Sequence, residues 1–417
     1  MLSRDLTKFI TLGGIFFSLF SLAKSENTDL TGQRIKLGVD CLVEDDFAIL
    51  NGKKIGLITN QSGVNGGGIK TRIILANSNK VELVALYTPE HGLDGDELAG
   101  KWVSSRIDSV TGLTAYSLYG KSRKPSADML KGLDALVFDI QDVGARCYTY
   151  ISTMGLCMDA ASELGIEFII LDRPNPVGGI GVSGPPIKKE WQSFVGQYPI
   201  PFRHGMTVGE LALMAVGEGW LKDLPKLTIV KMKGWERSMG WRHTKLRWIR
   251  TSPNIPRSES CYYYLASCLA QHVPGIYAGT GTSKPFQFVV AKNIDHQGLC
   301  SRLNANKMGG VRFFPYIDKN DPKMRGVSLE LNVDQSPDLM LISMAILKAF
   351  HVESKKAGVD LIAESSKSGL NLLHKVYGSK SLANDLNSRI SSQRIVSKWD
   401  SSNKTFKKTR SKYLLYD

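Results

Sequence analysis

Short apolar segments alternate with polar clusters through the first half of this 417-residue chain. Segments 53–59, 81–87, 133–139 and 168–171 have the length and composition of strands, and each runs directly into a polar cluster. Apolar residues at helical spacing occur between them, most clearly at 150–164. This repeated strand–helix order predicts an α/β domain with a doubly wound, parallel sheet and right-handed crossovers.

The polar clusters that follow these four segments form the predicted site. In a parallel sheet the carboxyl ends of the strands lie along one edge, and ligands bind there. We therefore expect the clusters to converge on one crevice that is rich in carboxylate, amide, imidazole and guanidinium groups. The side chains concerned are Asn60, Gln61, Glu90, His91, Asp139, Asp142, Arg146, Tyr148, Asp172, Arg173 and Asn175.

From about residue 250 the pattern changes. The segment 252–256 is a proline-rich joint, and beyond it strand-like runs come before helical ones. This order predicts a second, smaller α+β domain. We place the main domain at residues 37–256 and the C-terminal domain at 257–417.

The first 25 residues have the pattern of a secretory signal peptide. Arg4 and Lys8 flank an apolar stretch at 9–22, and a small-x-small cleavage pattern ends at Ser25. We therefore expect an exported protein, periplasmic or extracellular, with no stable membrane span after cleavage. The alternative is an uncleaved anchor, although the stretch is short for a membrane span and carries two glycines.

The chain is strongly basic, with a formal net charge of +14. Because the leader holds Arg4, Lys8 and Lys24 against Asp5, its removal would leave a mature chain of +12. A basic surface favours polyanionic surroundings, such as an anionic envelope polymer or a membrane surface. The sequence shows no recognisable nucleic-acid-binding module, so we expect no nucleic-acid partner.

Several motifs that indicate other chemistry do not occur in the sequence. There is no G-x-G-x-x-G after a predicted strand, no P-loop spacing around the glycines at 66–68, no G-x-S-x-G and no H-E-x-x-H. We therefore expect no dinucleotide cofactor and no metal. The remaining chemistry is hydrolysis centred on carboxylates, and a glycosidase usually needs only two of them in different protonation states.

Glu90 is the leading candidate for a general acid. It lies with His91 on a stiff turn between Pro89 and Gly92, directly after a predicted buried strand. Desolvation in such a crevice raises the pKa of a carboxyl group, which suits an acid. The structural alternative is a glutamate that only caps the turn.

The other candidate site residues could equally have a purely structural role. Asp139 and Asp142 follow the third strand beside Arg146, and either acid could act in the site or form a structural ion pair. Tyr148 could be a sugar platform or pack at the start of a helix. His204 precedes a predicted helix, whose N-terminus favours anions, and is a candidate substrate contact.

Longer blocks of sequence carry a specific resemblance. They are TNQSGV (59–64), PEHGLDGD (89–96), SLYG (117–120), DIQDVGARCYTYISTM (139–154), LDRPNPVGG (171–179), SFVG (193–196) and PIPFRHGMTVGELA (199–212). In order and spacing these blocks resemble the exo-β-N-acetylmuramidase family of NamZ-like proteins. The resemblance covers most of residues 37–256 and continues more weakly through TSPNIP (251–256), GTSKPF (281–286) and KYLLY (412–416).

The resemblance implies a Rossmann-like catalytic domain, a smaller C-terminal domain and a cleft between them. It implies exo-acting release of N-acetylmuramic acid from the non-reducing ends of peptidoglycan fragments, with muramyl oligosaccharides as partners of an expected monomer. Glu90 would be the acid, with Asp142, Asp139 or Asp172 as the second carboxylate. The sugar subsite would be lined by Asn60, Gln61, His91, Arg146, Tyr148, Asp172, Arg173, Asn175 and His204.

One block departs from the family pattern. The family usually carries a SEGRGT-like block, whereas this chain has YAGTGT at 277–282, so Ala278 and Thr280 replace an acid and an arginine. We expect an active glycosidase with changed recognition of one end of its substrate. The alternatives are a non-catalytic envelope protein that binds muramyl glycans and a metal-dependent hydrolase that uses His91 and His204.

Overall fold

A seven-stranded sheet carries the first half of the chain. The computed structural model describes residues 34–223, 225–361 and 367–417, so the predicted signal peptide at 1–25 lies outside the described residues. The strands are β1 (Lys54–Thr59), β2 (Glu82–Thr88), β3 (Arg106–Ile107), β4 (Thr114–Ser117), β5 (Ala135–Asp139), β6 (Glu167–Leu171) and β7 (Leu227–Val230).

The strand order is β3-β4-β2-β1-β5-β6-β7, and every neighbouring pair except β3–β4 is parallel. The chain winds outward from β1 in one direction and then from β5 in the other, so the predicted doubly wound sheet is confirmed. The antiparallel edge strand β3 was not predicted. It joins β4 through a short loop, and so short a connection can link only antiparallel strands.

Helices cover this sheet. They are α1 (Gly38–Glu44), α2 (Thr71–Ala76), α3 (Ala127–Leu130), α4 (Tyr150–Glu163) and α5 (Val208–Gly217). Thr207 and Glu210, three residues apart, have the sequence pattern of a capping box at the start of α5, and the structure has it. The Thr207 hydroxyl accepts from the Glu210 amide at 3.2 Å, and the Glu210 carboxylate accepts from the Thr207 amide at 3.0 Å.

The sheet is buried on both faces. Leu136 and Phe138 of β5 join one apolar cluster, while Ala135 and Val137 of the same strand join a second cluster on the opposite face. Strands buried on both sides read as continuous apolar runs, which is why the sequence pattern showed them clearly.

A second sheet lies in the C-terminal half. Its strands β8 (Ile276–Tyr277), β9 (Phe288–Lys292), β10 (Val311–Ile317) and β11 (Met324–Leu331) are antiparallel in the order β10-β11-β9-β8. The accompanying helices are α6 (Ser260–Gln271), α7 (His296–Ala305), α8 (Leu339–Lys356), α9 (Lys367–Tyr377), α10 (Ser381–Asn387), α11 (Ser392–Ser397) and α12 (Asp400–Arg410). The predicted α/β sheet followed by a smaller α+β region is confirmed, whereas the boundary at 256/257 stays a prediction.

No helix within the described ranges is long and apolar enough to cross a membrane. The described residues also contain no group of three His, Cys, Asp or Glu side chains that could hold a metal ion.

Arg146 joins the two halves of the chain. Its side chain is completely buried, and its guanidinium donates to the carbonyl oxygens of Pro185, Ile200, Val376 and Tyr377 at 2.6 to 3.0 Å. Burial lowers its pKa to about 10, so the group remains protonated at neutral pH.

The C-terminal residues return to the first sheet. The Arg410 guanidinium donates to the carbonyl oxygens of His204 and Gly179 at 2.8 and 3.0 Å, and the Tyr416 hydroxyl donates to the Asp172 carboxylate at 2.7 Å. These contacts give the basic C-terminal tail a structural role in the fold.

We predict that Arg146→Met destabilises the protein by about 3–5 kcal/mol, because it leaves buried carbonyl groups without donors. The free energy of unfolding in urea measures this loss. The control is Arg312→Met, which removes an exposed guanidinium without a hydrogen-bond partner in the described part of the chain, and which should change the free energy by less than about 0.5 kcal/mol. Equal stability of the two variants would contradict the structural role of Arg146.

Candidate active site

Glu90 lies on the turn that follows β2, as the sequence predicted. The turn closes through a hydrogen bond of 3.1 Å from the Gly92 amide to the Pro89 carbonyl, and His91 adopts a left-handed φ of 73°. A non-glycine residue in this region is uncommon and typical of functional turns. The His91 ring nitrogen Nδ1 lies 2.6 Å from the Glu97 carbonyl oxygen and holds the loop beyond the turn.

Two groups donate hydrogen bonds to the half-buried Glu90 carboxylate. The Thr149 hydroxyl donates to Oε2 at 2.7 Å, and the Gly100 amide donates to Oε1 at 2.7 Å. Tyr119 lines the cavity with Glu90. Burial and, after it, the negative charge of Glu90 raise the pKa of Tyr119 to about 12, so the phenol stays protonated.

Glu90 faces a cavity of about 460 Å³ that both halves of the chain line. Among the described lining residues, Glu90 is the one acidic side chain. The other side chains that line it include His91, Tyr119, Arg123, Cys147, Tyr148, Thr149, Tyr150, Ser252, Asn254, Tyr264, Gln271, His272, Thr280, Phe286 and Val376. The cavity therefore combines a single carboxylate with largely aromatic walls.

Arg123 is the one arginine or lysine that lines this cavity within the described ranges. Its guanidinium lies over the Phe194 ring at 4.1 Å and over the Tyr119 ring at 5.2 Å, which positions it by cation–π contacts. Arg123 forms no ion pair with any carboxylate of the described chain, so its charge is available to a ligand.

An aromatic group supports the cavity. Tyr148 packs edge-on against Tyr150 at 4.8 Å and against Tyr264 at 5.8 Å between ring centroids. The Tyr148 hydroxyl donates to the Thr251 hydroxyl at 2.8 Å, and the Tyr150 hydroxyl donates to the Thr251 carbonyl. Thr251 therefore joins the wall formed by the 147–150 segment to the joint between the two halves.

The three candidates for the second carboxylate do not line the cavity. Asp139 is fully buried and binds the Arg173 guanidinium and the Thr71 hydroxyl. Asp172 is fully buried and accepts from Thr207, Gly209 and Tyr416. Both carboxylates hold neighbouring segments of the chain in place.

Asp142 is different, because one of its oxygens has no partner. Its Oδ2 accepts from the Gly144 amide at 2.7 Å, while its buried Oδ1 receives no hydrogen bond. Burial raises the pKa of Asp142 to about 7. Burial raises the pKa of Tyr150 on the cavity wall, and the charges of Glu90 and Asp142 add to this effect.

Most of the predicted sugar-contact residues are buried in the walls. His91 and Tyr148 line the cavity, whereas Asn60, Gln61, Arg146, Arg173, Asn175 and His204 do not. Gln61 donates to the Arg250 and Thr251 carbonyls at 2.8 and 3.0 Å. The structure thus brings Glu90, His91 and Tyr148 together on this cavity, whereas the others do not line it and Arg173 lines a different cavity.

Asn175 and His204 illustrate this supporting position. Asn175 donates from Nδ2 to the Met206 carbonyl at 3.0 Å, and its Oδ1 would lie 2.4 Å from a Cβ atom at Gly144, so this close approach requires glycine there. Burial, with the charges of nearby arginines, lowers the pKa of His204 to about 3, so its imidazole is neutral.

Tyr119, Arg123 and Thr149 line the cavity but were not predicted from the sequence. Tyr119 and Thr149 lie inside two of the quoted blocks, SLYG and DIQDVGARCYTYISTM, so their position in those blocks was an available signal. Arg123 follows SLYG by three residues in a basic loop and carried no signal that distinguished it from its neighbours.

The C-terminal half supplies the opposite wall. Thr280 lines the cavity, whereas Ala278 is completely buried and its amide donates to Gln271 Oε1 at 2.8 Å. His272 also lines this wall, and burial lowers its pKa to about 4, so it is neutral at neutral pH. This wall therefore carries no formal charge where the SEGRGT-like pattern would place an acid and an arginine.

Comparison with known proteins decides the family. Residues 55–259 match the family described as exo-beta-N-acetylmuramidase NamZ, N-terminal, and residues 262–416 match its C-terminal counterpart. This chain belongs to the NamZ family. The predicted resemblance is thereby confirmed over nearly all of the described chain.

Relatives of known name and structure support this membership. The peptidoglycan beta-N-acetylmuramidase NamZ of Bacillus subtilis (strain 168) is 39% identical over 399 residues, which are 94% of this chain and 94% of that protein. A crystal structure of a DUF1343 family protein from Bacteroides fragilis superposes with a TM-score of 0.85 at 38% identity, covering 92% of this chain and 99% of that one. A second DUF1343 family protein from the same organism gives a TM-score of 0.71 at 29% identity, with the same coverage.

We predict that Asp142→Asn changes how the stability of this NamZ family member depends on pH. A carboxyl whose pKa is raised from 3.8 to about 7 on folding binds its proton more tightly in the native state. Its contribution to stability is therefore largest below about pH 4 and falls as the pH rises to about 7, by up to about 4 kcal/mol.

Urea unfolding at pH 4.5, 6 and 8 measures this effect. Relative to wild type, the Asp142→Asn protein should gain stability steadily from the lowest to the highest pH. Asp134→Asn, at a carboxylate that accepts from the exposed Lys54 amide, is the control and should show no such trend. Parallel pH profiles for wild type and Asp142→Asn would exclude the raised pKa.

Proposed function

We propose that this protein is an exported exo-β-N-acetylmuramidase that releases N-acetylmuramic acid from the non-reducing ends of peptidoglycan fragments. The observation that carries the proposal is Glu90, the one carboxylate among the described residues that line an aromatic cavity of about 460 Å³. The 39% identity to a peptidoglycan beta-N-acetylmuramidase supports the choice of sugar.

Glu90 acts as the general acid in this proposal. Its proton passes to the glycosidic oxygen as the bond to the anomeric carbon breaks, and water supplies the hydroxyl that ends on that carbon and the proton that restores Glu90. The Thr149 hydroxyl and the Gly100 amide, each 2.7 Å from a carboxylate oxygen, fix the orientation of the group. A fixed orientation matters because proton transfer requires the donor within hydrogen-bond distance of the leaving oxygen.

Asp142 is the proposed second carboxylate. Of the three candidates it alone has a buried oxygen without a hydrogen-bond partner. Burial raises its pKa to about 7, and burial also raises the pKa of Asp172, whose oxygens are all partnered. Asp139 and Asp172 are assigned supporting roles, because their oxygens bind neighbouring protein groups.

Arg123 recognises the lactyl carboxylate that distinguishes N-acetylmuramic acid from N-acetylglucosamine. Arg123 takes this role rather than Arg146 or Arg173, because neither of those two side chains lines the Glu90 cavity. Arg146 binds buried carbonyl oxygens, and Arg173 binds Asp139 and lines a different cavity. A guanidinium stacked on two aromatic rings keeps its planar donors oriented toward an incoming carboxylate.

The uncharged wall at Gln271, His272 and Thr280 contacts the other end of the substrate. Since Ala278 and Thr280 stand where the family pattern has an acid and an arginine, this wall selects a neutral group. Export from the leader at 1–25 and a monomeric state remain part of the proposal.

We predict that Glu90→Gln lowers kcat at least about 100-fold on a muramic-acid-terminated disaccharide, because the amide keeps the shape but has no acid proton. A chromogenic muramide with a good leaving group needs less help from an acid and should lose less. The measurement is the rate of N-acetylmuramic acid release, monitored by chromatography. Glu97→Gln, an exposed neighbour on the same loop, is the control.

Two outcomes would contradict this role. Near-normal rates of Glu90→Gln on both substrates would remove Glu90 as the acid. If the wild-type protein binds the disaccharide but releases no sugar, the protein is the muramyl-glycan-binding protein that stands as the alternative. Unchanged activity in a chelator would exclude the metal-dependent hydrolase.

We predict that Arg123→Met raises KM for the muramic-acid-terminated substrate about tenfold or more, since it removes a charge-assisted hydrogen bond. The preference over the matching N-acetylglucosamine-terminated substrate should shrink by the same factor, because that sugar lacks the carboxylate. The ratio of kcat/KM for the two substrates measures this preference.

Lys121→Met is the matched control, because it removes one exposed positive charge from the same loop. Its substrate preference should equal that of wild type. If Arg123→Met lowers kcat/KM equally for both substrates, Arg123 shapes the cavity but does not bind the lactyl carboxylate.

A further inference from the structure

A second cavity, of about 350 Å³, lies at the carboxyl ends of β1, β5 and β6. It is lined by the loop 62–68 after β1, by Gln141 after β5, by Arg173 after β6 and by the segment 241–249. The sheet winds one way from β1 and the other way from β5, so this cavity lies at the topological switch point, where doubly wound folds bind ligands.

The charged side chains that line this cavity are all cationic. They are Arg34, Arg173, Lys245 and Arg247, and no acidic side chain lines it within the described ranges. Two aspartates contact residues that line the cavity: Asp40 accepts from the Leu37 and Gly66 amides, and Asp139 binds the Arg173 guanidinium. The cavity therefore carries a positive potential.

Arg173 is the buried cation of this cavity, with 3% of its surface exposed. Its Nε and Nη2 atoms bind Asp139, and Nη2 also donates to the Val64 carbonyl at 2.6 Å. Its Nη1 atom forms no hydrogen bond within the described chain. Asp139 and Val64 thus fix the guanidinium and leave one nitrogen without a protein acceptor.

Gln141 lies beside Arg173 on the same cavity and is also buried. Its Nε2 donates to the Asp142 and Pro174 carbonyls, both at 2.8 Å, while its Oε1 receives no hydrogen bond. Buried polar atoms are usually paired, so an unpaired oxygen here indicates a missing donor. A ligand hydroxyl would supply it.

Arg34 and Arg247 are exposed at this cavity and have no ion-pair or hydrogen-bond partner in the described chain. The other arginines near Arg247 differ in this respect: Arg242 pairs with Asp334, and Arg250 pairs with Asp96. Of the three arginines that line the cavity, Arg34 and Arg247 are therefore the two without an ion pair in the described chain, whereas Arg173 pairs with Asp139.

This cavity is separate from the one that holds Glu90. The segment 245–255 runs between them, with Lys245 and Arg247 on one side and Ser252 and Asn254 on the other. Gln61, Tyr148 and Tyr150 fix its middle through hydrogen bonds to Arg250 and Thr251.

We propose that this cavity is a second binding site, for a small organic oxyanion that carries a hydroxyl group. The carboxylate or phosphate of the ligand binds Arg34, Arg247 and the free Nη1 of Arg173. Its hydroxyl donates to Gln141 Oε1. The apolar side chains of Trp241, Leu246 and Ile249 cover the rest of the ligand.

Calorimetric titration of the full chain tests the proposal, with inorganic phosphate and D-lactate as separate probes at constant ionic strength. We expect saturable binding of at least one probe at one site per chain, with quenching of tryptophan fluorescence because Trp241 lines the cavity. Saturation by phosphate alone identifies a phosphate ligand, and saturation by lactate alone identifies a hydroxy acid. Saturation by neither overturns the proposal.

The variant Arg34→Ala/Arg247→Ala should weaken binding at least about tenfold. Arg312→Ala/Arg394→Ala removes two exposed, unpaired guanidinium groups elsewhere and is the matched control, which should leave binding unchanged. Equal weakening by both double variants would mean a general charge effect and would overturn the site. Arg247→Glu, a single exposed change, repeats the test if the double variant does not fold.

Discussion

The buried guanidinium of Arg146 fixes the two halves of the chain against each other at the wall of the Glu90 cavity. Two of its four carbonyl acceptors belong to Pro185 and Ile200 in the first half, and two belong to Val376 and Tyr377 in the second. Separating the halves would leave a buried cation and several carbonyl groups unpaired. Leaving a buried charge without its partners typically costs about 3–5 kcal/mol.

The same interaction sets the shape of the cavity. Residues 147–150, which directly follow Arg146, form one wall, and Val376, whose carbonyl Arg146 binds, lies on another. Thr251 also holds the two halves together at the joint between them, because Gln61, Tyr148 and Tyr150 all donate hydrogen bonds to it. The position of Glu90 relative to the C-terminal wall therefore depends on buried hydrogen bonds that no ligand contributes.

The polar clusters at the strand ends separate into two kinds of residue. Glu90 and His91 line the cavity, whereas Asp139 and Asp172 do not line it and bind protein donors instead. A buried carboxylate requires a partner, and a basic or hydroxyl side chain from a distant segment satisfies it as well as a substrate would. The residue types at a strand end thus predict a polar edge but not which side chains face the ligand.

Some strands and helices were also predictable from the sequence, whereas others were not. Strands β1, β5 and β6 were predicted within two residues at either end, because strands buried on both faces are continuous apolar runs. Helix α6 was not predicted: its three consecutive tyrosines, 262–264, favour a strand, and its packing on α8 decides the helix instead. Local sequence predicts a strand or helix where the pattern of apolar residues is clear. Where the pattern is ambiguous, tertiary packing decides which element forms.

The sequence by itself determined the doubly wound sheet, the family, the capping box at Thr207 and the turn that presents Glu90, because each depends on residues close together in the chain. The tertiary structure alone decided that Tyr119, Arg123 and Thr149 surround Glu90, and that Arg173 faces a different cavity. These placements depend on how segments more than 20 residues apart fill the same volume. Burial and hydrogen-bond pairing choose among such arrangements, and neither is encoded in the spacing of residues along the chain.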